Sequence, residues 1–127
     1  MLYTEPLTLF HMEQNGTVSR FVLRGSWYES NAAAMAANGS QQPQKVVKVR
    51  IASPACDGFT PAKSYTGTGW TAKHGDYIVR GNVLFGVADE KGQRFADIPR
   101  QFDSVGCIRD VRDRRIGVEP HIYIEGA

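Results

Sequence analysis

This sequence has little of most features that would announce a function. Only two cysteines, Cys56 and Cys107, occur in 127 residues, and they form no CxxC pair. That usage suits neither a disulfide framework nor a zinc site, so both are expected as reduced, buried thiols. The three histidines, at positions 11, 74 and 121, share no metal-ligand spacing with one another or with the cysteines, and no metal is expected. No apolar run approaches the roughly 18 residues needed to cross a bilayer, so no transmembrane helix and no membrane contact are expected. The opening MLYTEPLTLF lacks a basic stretch and a small-residue cleavage site, and it is not read as a signal peptide. A GxSxG elbow, a GxxxxGK[ST] loop and a GxGxxG before a helix are all missing. No catalytic residue and no cofactor follow from any of this. One-sided charge is missing too: 15 Lys plus Arg against 13 Asp plus Glu leaves +2. That balance excludes a protein whose main affinity comes from neutralising phosphates.

What is present describes a globular chain. Hydrophobic residues make up 42% and charged residues 22%, close to the average of folded domains. A chain of this length fits a single domain over residues 1–127, and folding buries about two-thirds of its surface. Strand signals dominate it. Phe21, Leu23 and Trp27 share one parity against Arg20, Arg24 and Ser26, and Val47, Val49 and Ile51 oppose Lys48 and Arg50. Each reads as a strand with one dry face and one wet face. Leu7–Met12 followed by Gln14-Asn15-Gly16 makes residues 7–28 a β-hairpin. His74-Gly75 between Trp70–Lys73 and Asp76–Arg80 reads as a second, tight hairpin, continued by an apolar strand at Asn82–Val87. Val105–Val111 and His121–Glu125 supply the last strands. The fold class is therefore mainly β: a small barrel or sandwich of about seven or eight short antiparallel strands.

Two segments stand apart. The alanine run from Asn31 to Gly39 has a cap-like start and an Asn-Gly stop, but almost no bulky face. It is expected as one short helix or mobile loop near 31–39, within an excursion at 30–44. The Gly- and Pro-rich stretch 53–69 is expected as a second excursion anchored by Phe59 and Tyr65. Within it, Gly67-Thr68-Gly69 lets the chain turn sharply beside Trp70. The run Arg109-Asp110-Val111-Arg112-Asp113-Arg114-Arg115 reads either as a basic edge facing phosphate or a partner, or as a solvated strand whose aspartates pair with the arginines. Asp76, after a turn glycine, reads as a turn-stabilising acceptor.

The order of these pieces carries a resemblance. A hairpin ends in Gly25-Ser26-Trp27-Tyr28, a loop follows, then Lys45-Val46-Val47-Lys48-Val49-Arg50-Ile51, then Gly75-Asp76-Tyr77-Ile78-Val79-Arg80-Gly81. Val111-Arg112-Asp113-Arg114-Arg115 and Pro120-His121-Ile122-Tyr123-Ile124 close it. This pattern resembles the small minor capsid or head–tail connector proteins of tailed phages and prophages of Gram-positive bacteria. More loosely, it is similar to the head–tail joining and stopper families. The resemblance implies a structural protein without catalysis, made in the bacterial host cytoplasm and then built into the virion. It implies a homo-oligomer assembling with portal, head and tail proteins. Under it, Arg109, Arg112, Arg114 and Arg115 would face DNA or a partner, with any DNA contact weak, and Asn31, Met35, Asn38 and Gln41 would belong to an assembly loop. The competing readings are another β-barrel binding module (a tail component or a nucleic-acid-binding domain) and a small enzyme.

Overall fold

A computed structural model describes residues 4–35 and 41–127, of which 31–35 and 41–44 are described by their backbone. Among them six strands close into a barrel: β1 (Glu5–Met12), β2 (Val18–Met35), β3 (Gln41–Ala52), β4 (Tyr77–Arg80), β5 (Val105–Arg114) and β6 (His121–Gly126). Around the wall the order is β1-β2-β3-β6-β5-β4, every neighbouring pair antiparallel. The strands are fewer and longer than the seven or eight short ones expected, because β2 serves two neighbours in turn. Its first half pairs with β1 as far as Gly25, and its second half pairs with β3 from Ser26 onward. Gly25 stands at that change of partner, where a Cβ would lie 2.6 Å from the Arg50 carbonyl oxygen. A barrel corner drawn this tight has no room for a side chain.

The dry faces meet inside. Leu7 and Leu9 of β1, Leu23 of β2, Val47, Val49 and Ile51 of β3, Ile78 of β4, Ile108 of β5, and Ile122 and Ile124 of β6 fill the interior. The alternation at 21–27 and 47–51 is therefore borne out, each fully buried aliphatic contributing about 1.5–3 kcal/mol. One mouth is stoppered by the segment after β3. Its two single-turn 3-10 helices, Ala55–Gly58 and Ala62–Ser64, bring Cys56, Phe59 and Trp70 into the interior cluster. The Trp70 indole donates to the Ala55 carbonyl at 2.8 Å, and Phe59 meets the Trp70 ring edge-on at 4.9 Å. Gly69 makes this possible, at φ +75 and with Gly58 packed against the space where a Cβ would project. The stretch 53–69 is thus fastened to the barrel by its aromatic anchor.

Three expectations are corrected. Residues 31–35 are not helix or loop but the end of β2, paired residue for residue with 41–45 of β3 (Asn31↔Lys45 to Met35↔Gln41). Pairing satisfies backbone groups that a short alanine helix with no apolar face would leave to water. The turn at His74-Gly75 exists, with the Asp76 amide bonded to the Lys73 carbonyl, but it joins no hairpin. Trp70 is held in a parallel bridge to Phe59 instead, and β4 pairs with β1 and β5. Asn82–Val87 is not a strand. It runs across the outside of β1, where the Val83 amide donates to the Thr8 hydroxyl at 3.0 Å and Thr8 donates to the Gly81 carbonyl at 2.7 Å.

That crossing builds a second core. Phe10, Val79, Ile98 and Val105 are buried on the outer face of β1, β4 and β5, under Val83, Phe85, Phe95 and Phe102 of the excursion 81–104. The α-helix found among the described residues, the four-residue α1 (Ile98–Gln101), sits here, preceded by a 3-10 turn at Phe95–Asp97; residues 36–39 of the alanine run lie outside the described residues. Among the described residues no helix is long and apolar enough to cross a membrane.

Candidate functional site

Three features stand out on this frame. The first is the arm. β1 pairs with β2 only up to Gly25, and β6 pairs with β3 only from Val47. Among the described residues the five pairs from Asn31↔Lys45 to Met35↔Gln41 therefore have no third strand paired beside them, although at the base Lys45 Nζ donates to the Val105 carbonyl of β5; at about 3.3 Å per residue they span roughly 17 Å. Asn31, Met35 and Gln41 of the expected assembly loop lie on this two-stranded arm; Asn38 lies outside the described residues.

The second feature is the outer wall of β2, β3, β6 and β5. Pairing sets Ser26, Arg50, Tyr123 and Arg112 in one row across four strands, and Tyr28, Lys48, Glu125 and Asp110 in the next. His121 and Arg114 follow below. A β-bulge between Ile108 and Asp110 makes this row possible. Arg109 is the extra residue, and the one-residue slip turns Arg112 and Arg114 outward while Val111 packs on the interior. Both guanidinium groups lie over the Tyr123 ring, at 5.7 and 5.5 Å. Burial and a hydrogen bond to Glu125 push the Tyr123 hydroxyl above its ordinary range. Tyr28, Lys48, Arg50, Arg114, His121 and Tyr123 border a groove of about 330 Å³. The face is not strongly basic. Asp110 holds Arg112 at 2.7 Å, raising the guanidinium's pKa further, and Glu119 lies 3.5 Å from Arg50.

The run Arg109 to Arg115 is thus divided by the fold. Arg112 and Arg114 join the wall and Arg109 occupies the bulge. Arg115 turns back, bonding both oxygens of Asp113 at 2.8 and 2.7 Å and donating to the Phe59 carbonyl at 2.9 Å. Its role is to hold the β5–β6 loop against the stopper.

The third feature is a buried, hydrogen-bonded histidine–carboxylate contact. Asp76 accepts from His11 Nδ1 at 2.6 Å and from the amides of Met12 at 3.2 Å and Lys73 at 3.0 Å. It is fully buried, and it ties the end of β1 to the turn before β4. The expected turn acceptor is there, with a histidine partner that sequence spacing did not reveal. His11 borders a cavity of about 640 Å³ beside Tyr65, Lys63 and Lys73. Tyr65 meets the His11 ring edge-on at 5.9 Å, and burial raises its hydroxyl pKa. Asp76 accepts three hydrogen bonds, all of which hold the end of β1 to the turn before β4. Among the described residues no three His, Cys, Asp or Glu side chains gather as a metal site.

The chain matches a family of unknown function, DUF6751, over residues 2–127. It belongs to that family. No curated protein and no solved structure matches it. Family membership therefore covers nearly the whole chain and assigns no activity, so the surfaces themselves must carry the functional argument. Sequence reasoning passed over Tyr28, Lys48, Arg50 and Tyr123. Their common signal was parity: each sits on the wet side of a strand whose dry side was read correctly.

Proposed function

We propose that this protein is a virion structural component at the head–tail junction of a tailed phage or prophage, a minor capsid, connector or stopper subunit that works by oligomeric assembly with portal and tail proteins. The arm is the observation that carries the reading. A two-stranded ribbon alone in water is marginally stable, and beyond its base, where Lys45 donates to the Val105 carbonyl, the ribbon 31–35 with 41–45 pairs with no third strand among the described residues. Such a ribbon gains its stability by adding to, or lying along, a neighbour. The closed barrel gives it a rigid base, and near-neutral charge lets identical copies pack closely. The sequence resemblance points the same way.

The test is to shorten the arm. Replacing residues 32–44 by Asn-Gly between Asn31 and Lys45 removes only the unsupported pairs, so the barrel should melt within a few degrees of the intact chain. In the phage that carries the gene, particles should then fail to join tails or to retain DNA. Full titre from the shortened chain, or mature particles that lack the protein, would overturn the reading.

A second reading is favoured by the interleaving of Tyr28 and Tyr123 with Lys48, Arg50, Arg112 and Arg114, the layout of a base-stacking surface. A nucleic-acid-binding domain of that kind would bind oligonucleotides with a steep salt dependence. A flat salt response returns the argument to assembly.

A further inference from the structure

The outer wall of β2, β3, β6 and β5 is near-neutral as a whole, but its charges are unevenly spread. Asp110 is engaged with Arg112 at 2.7 Å, and Glu125 accepts the Tyr123 hydroxyl at 3.1 Å. Glu119, whose side chain is 76% exposed, stands 3.5 Å from Arg50. None of these three carboxylates lines the groove of about 330 Å³ on that wall. Its lining includes instead Lys48, Arg50, Arg114, His121 and the two tyrosines, Tyr28 and Tyr123. Arg114 and Lys48 enter no ion pair among the described residues.

Register brings two guanidinium groups toward one another here. Arg50 of β3 is paired with Tyr123 of β6, and Arg114 of β5 with His121 of β6. Strands about 4.8 Å apart, at about 3.3 Å per residue, put their Cα atoms about 12 Å apart on opposite flanks of β6. Each side chain then leans toward the other's row. Arg50 Nη2 lies 3.5 Å from His121 Nδ1, and the Arg114 guanidinium lies 5.5 Å from the centre of the Tyr123 ring. An aromatic ring holds a guanidinium without neutralising it. Like charges brought together repel, and an anion seated between them replaces that repulsion with attraction.

We infer that this groove is a phosphate site for one nucleotide unit, held by Arg50 and Arg114 from either side of β6, with Lys48 as a third charge and the Tyr28 ring stacked on the base. Guanidinium forks suit phosphate oxygens, and an ammonium adds a point charge. Tyr28 is 61% exposed and is paired with Lys48, so a flat ring stands beside the charges. The groove lies at the small end of the range for ligand sites, which matches a single unit. The inference rests on the nucleic-acid reading above and narrows it. Arg112 is already neutralised by Asp110, and the Tyr123 ring is covered by two guanidinium groups, so both support the site from behind. A free nucleotide and a single strand offer the same phosphate and base.

Titrating the full chain at low salt with a short oligothymidylate and with thymidine monophosphate tests it, read by amide shifts in NMR. Shifts should centre on Tyr28, Lys48, Arg50 and Arg114. Arg114→Gln and Lys48→Gln should each weaken oligonucleotide binding about fivefold, with melting unchanged, and Arg114→Lys should restore most of it. Arg112→Gln should cost less than Arg114→Gln. With three cations engaged, the logarithm of the affinity should fall with that of salt at a slope of about −2. A loss from Arg112→Gln as large as that from Arg114→Gln would overturn the assignment to these three cations. Oligonucleotide binding that both Gln substitutions at 48 and 114 leave intact would discard this groove and leave the nucleic-acid reading standing. Thymidine monophosphate bound as tightly as the oligonucleotide, and weakened by the same two substitutions, would keep the phosphate site and discard that reading. No binding of either probe at millimolar concentration would discard both.

Discussion

Along β1 and β4 the barrel wall is dry on both faces, whereas along β3 and β6 it is dry only inside. Leu7 and Leu9 point into the barrel while Thr8 and Phe10 are buried under the excursion 81–104. On the far side Val47, Val49, Ile122 and Ile124 point in, while Lys48, Arg50 and Tyr123 face outward. The first wall is a three-layer sandwich in miniature, the outer face of its strands taken up by the second core. The second remains open, and the arm grows from it. Scaffold and working surface are thus divided between the two sides of one small barrel.

Replacing Phe10 by alanine is the strongest way to break that contrast. Its ring is 1% exposed in the second core, so the variant should lose about 3–5 kcal/mol in urea unfolding. Val22→Ala, on the same outer surface but beyond the cover, should lose under about 0.5 kcal/mol. Comparable losses would mean that the excursion rests loosely on the wall. Next comes Asp76→Asn, which keeps the shape and removes the charge facing His11. It should cost about 2 kcal/mol and alter the His11 ring nitrogen shifts seen by NMR. Unchanged shifts would separate the histidine from the anchoring of the β1 end.

A small, pH-dependent effect belongs to the open side. The Asp113 carboxyl is held below its ordinary range, first by the hydrogen bond from the Arg115 side chain. A carboxylate with a lowered folded-state pKa adds stability above its unfolded value, and that stability is lost as pH falls through the lowered one, below about pH 4. Partial exposure of both partners keeps it under about 1 kcal/mol. Asp113→Asn should flatten this acid limb slightly, and a profile that overlays the wild type would show that the pair contributes nothing.

Legibility in the sequence followed the number of dry faces. One-sided strands announced themselves, because alternation is what a half-buried strand must show. Val105–Val111 carries no single parity, because the bulge at Arg109 reverses it midway. Nothing in Leu7-Thr8-Leu9-Phe10 showed that both faces would be buried, because the cover over Thr8 and Phe10 comes from the distant excursion 81–104. Asn82–Val87 looked like a strand because it is apolar, yet it buries side chains without entering the ladder. The alanine run misled for the opposite reason. Alanine carries the highest intrinsic helix propensity, and the pairing of 31–35 with 41–45 overrode it. For the candidate site, the arginine run was visible as a block, but its separation into wall, bulge and loop anchor was not.

The sequence by itself determined the β class, the inward sets at 21–27 and 47–51, the turn at Asp76 and the sharp bend before Trp70. Each follows from short-range chemistry: period-two hydrophobicity, a side chain capping its own turn, or a glycine where no other residue fits. Only the tertiary structure decided the closure of the barrel, the second core, the His11–Asp76 tie and the meeting of Tyr28 and Tyr123 with four cations. Those depend on strand order and register, which bring together residues that no local pattern connects.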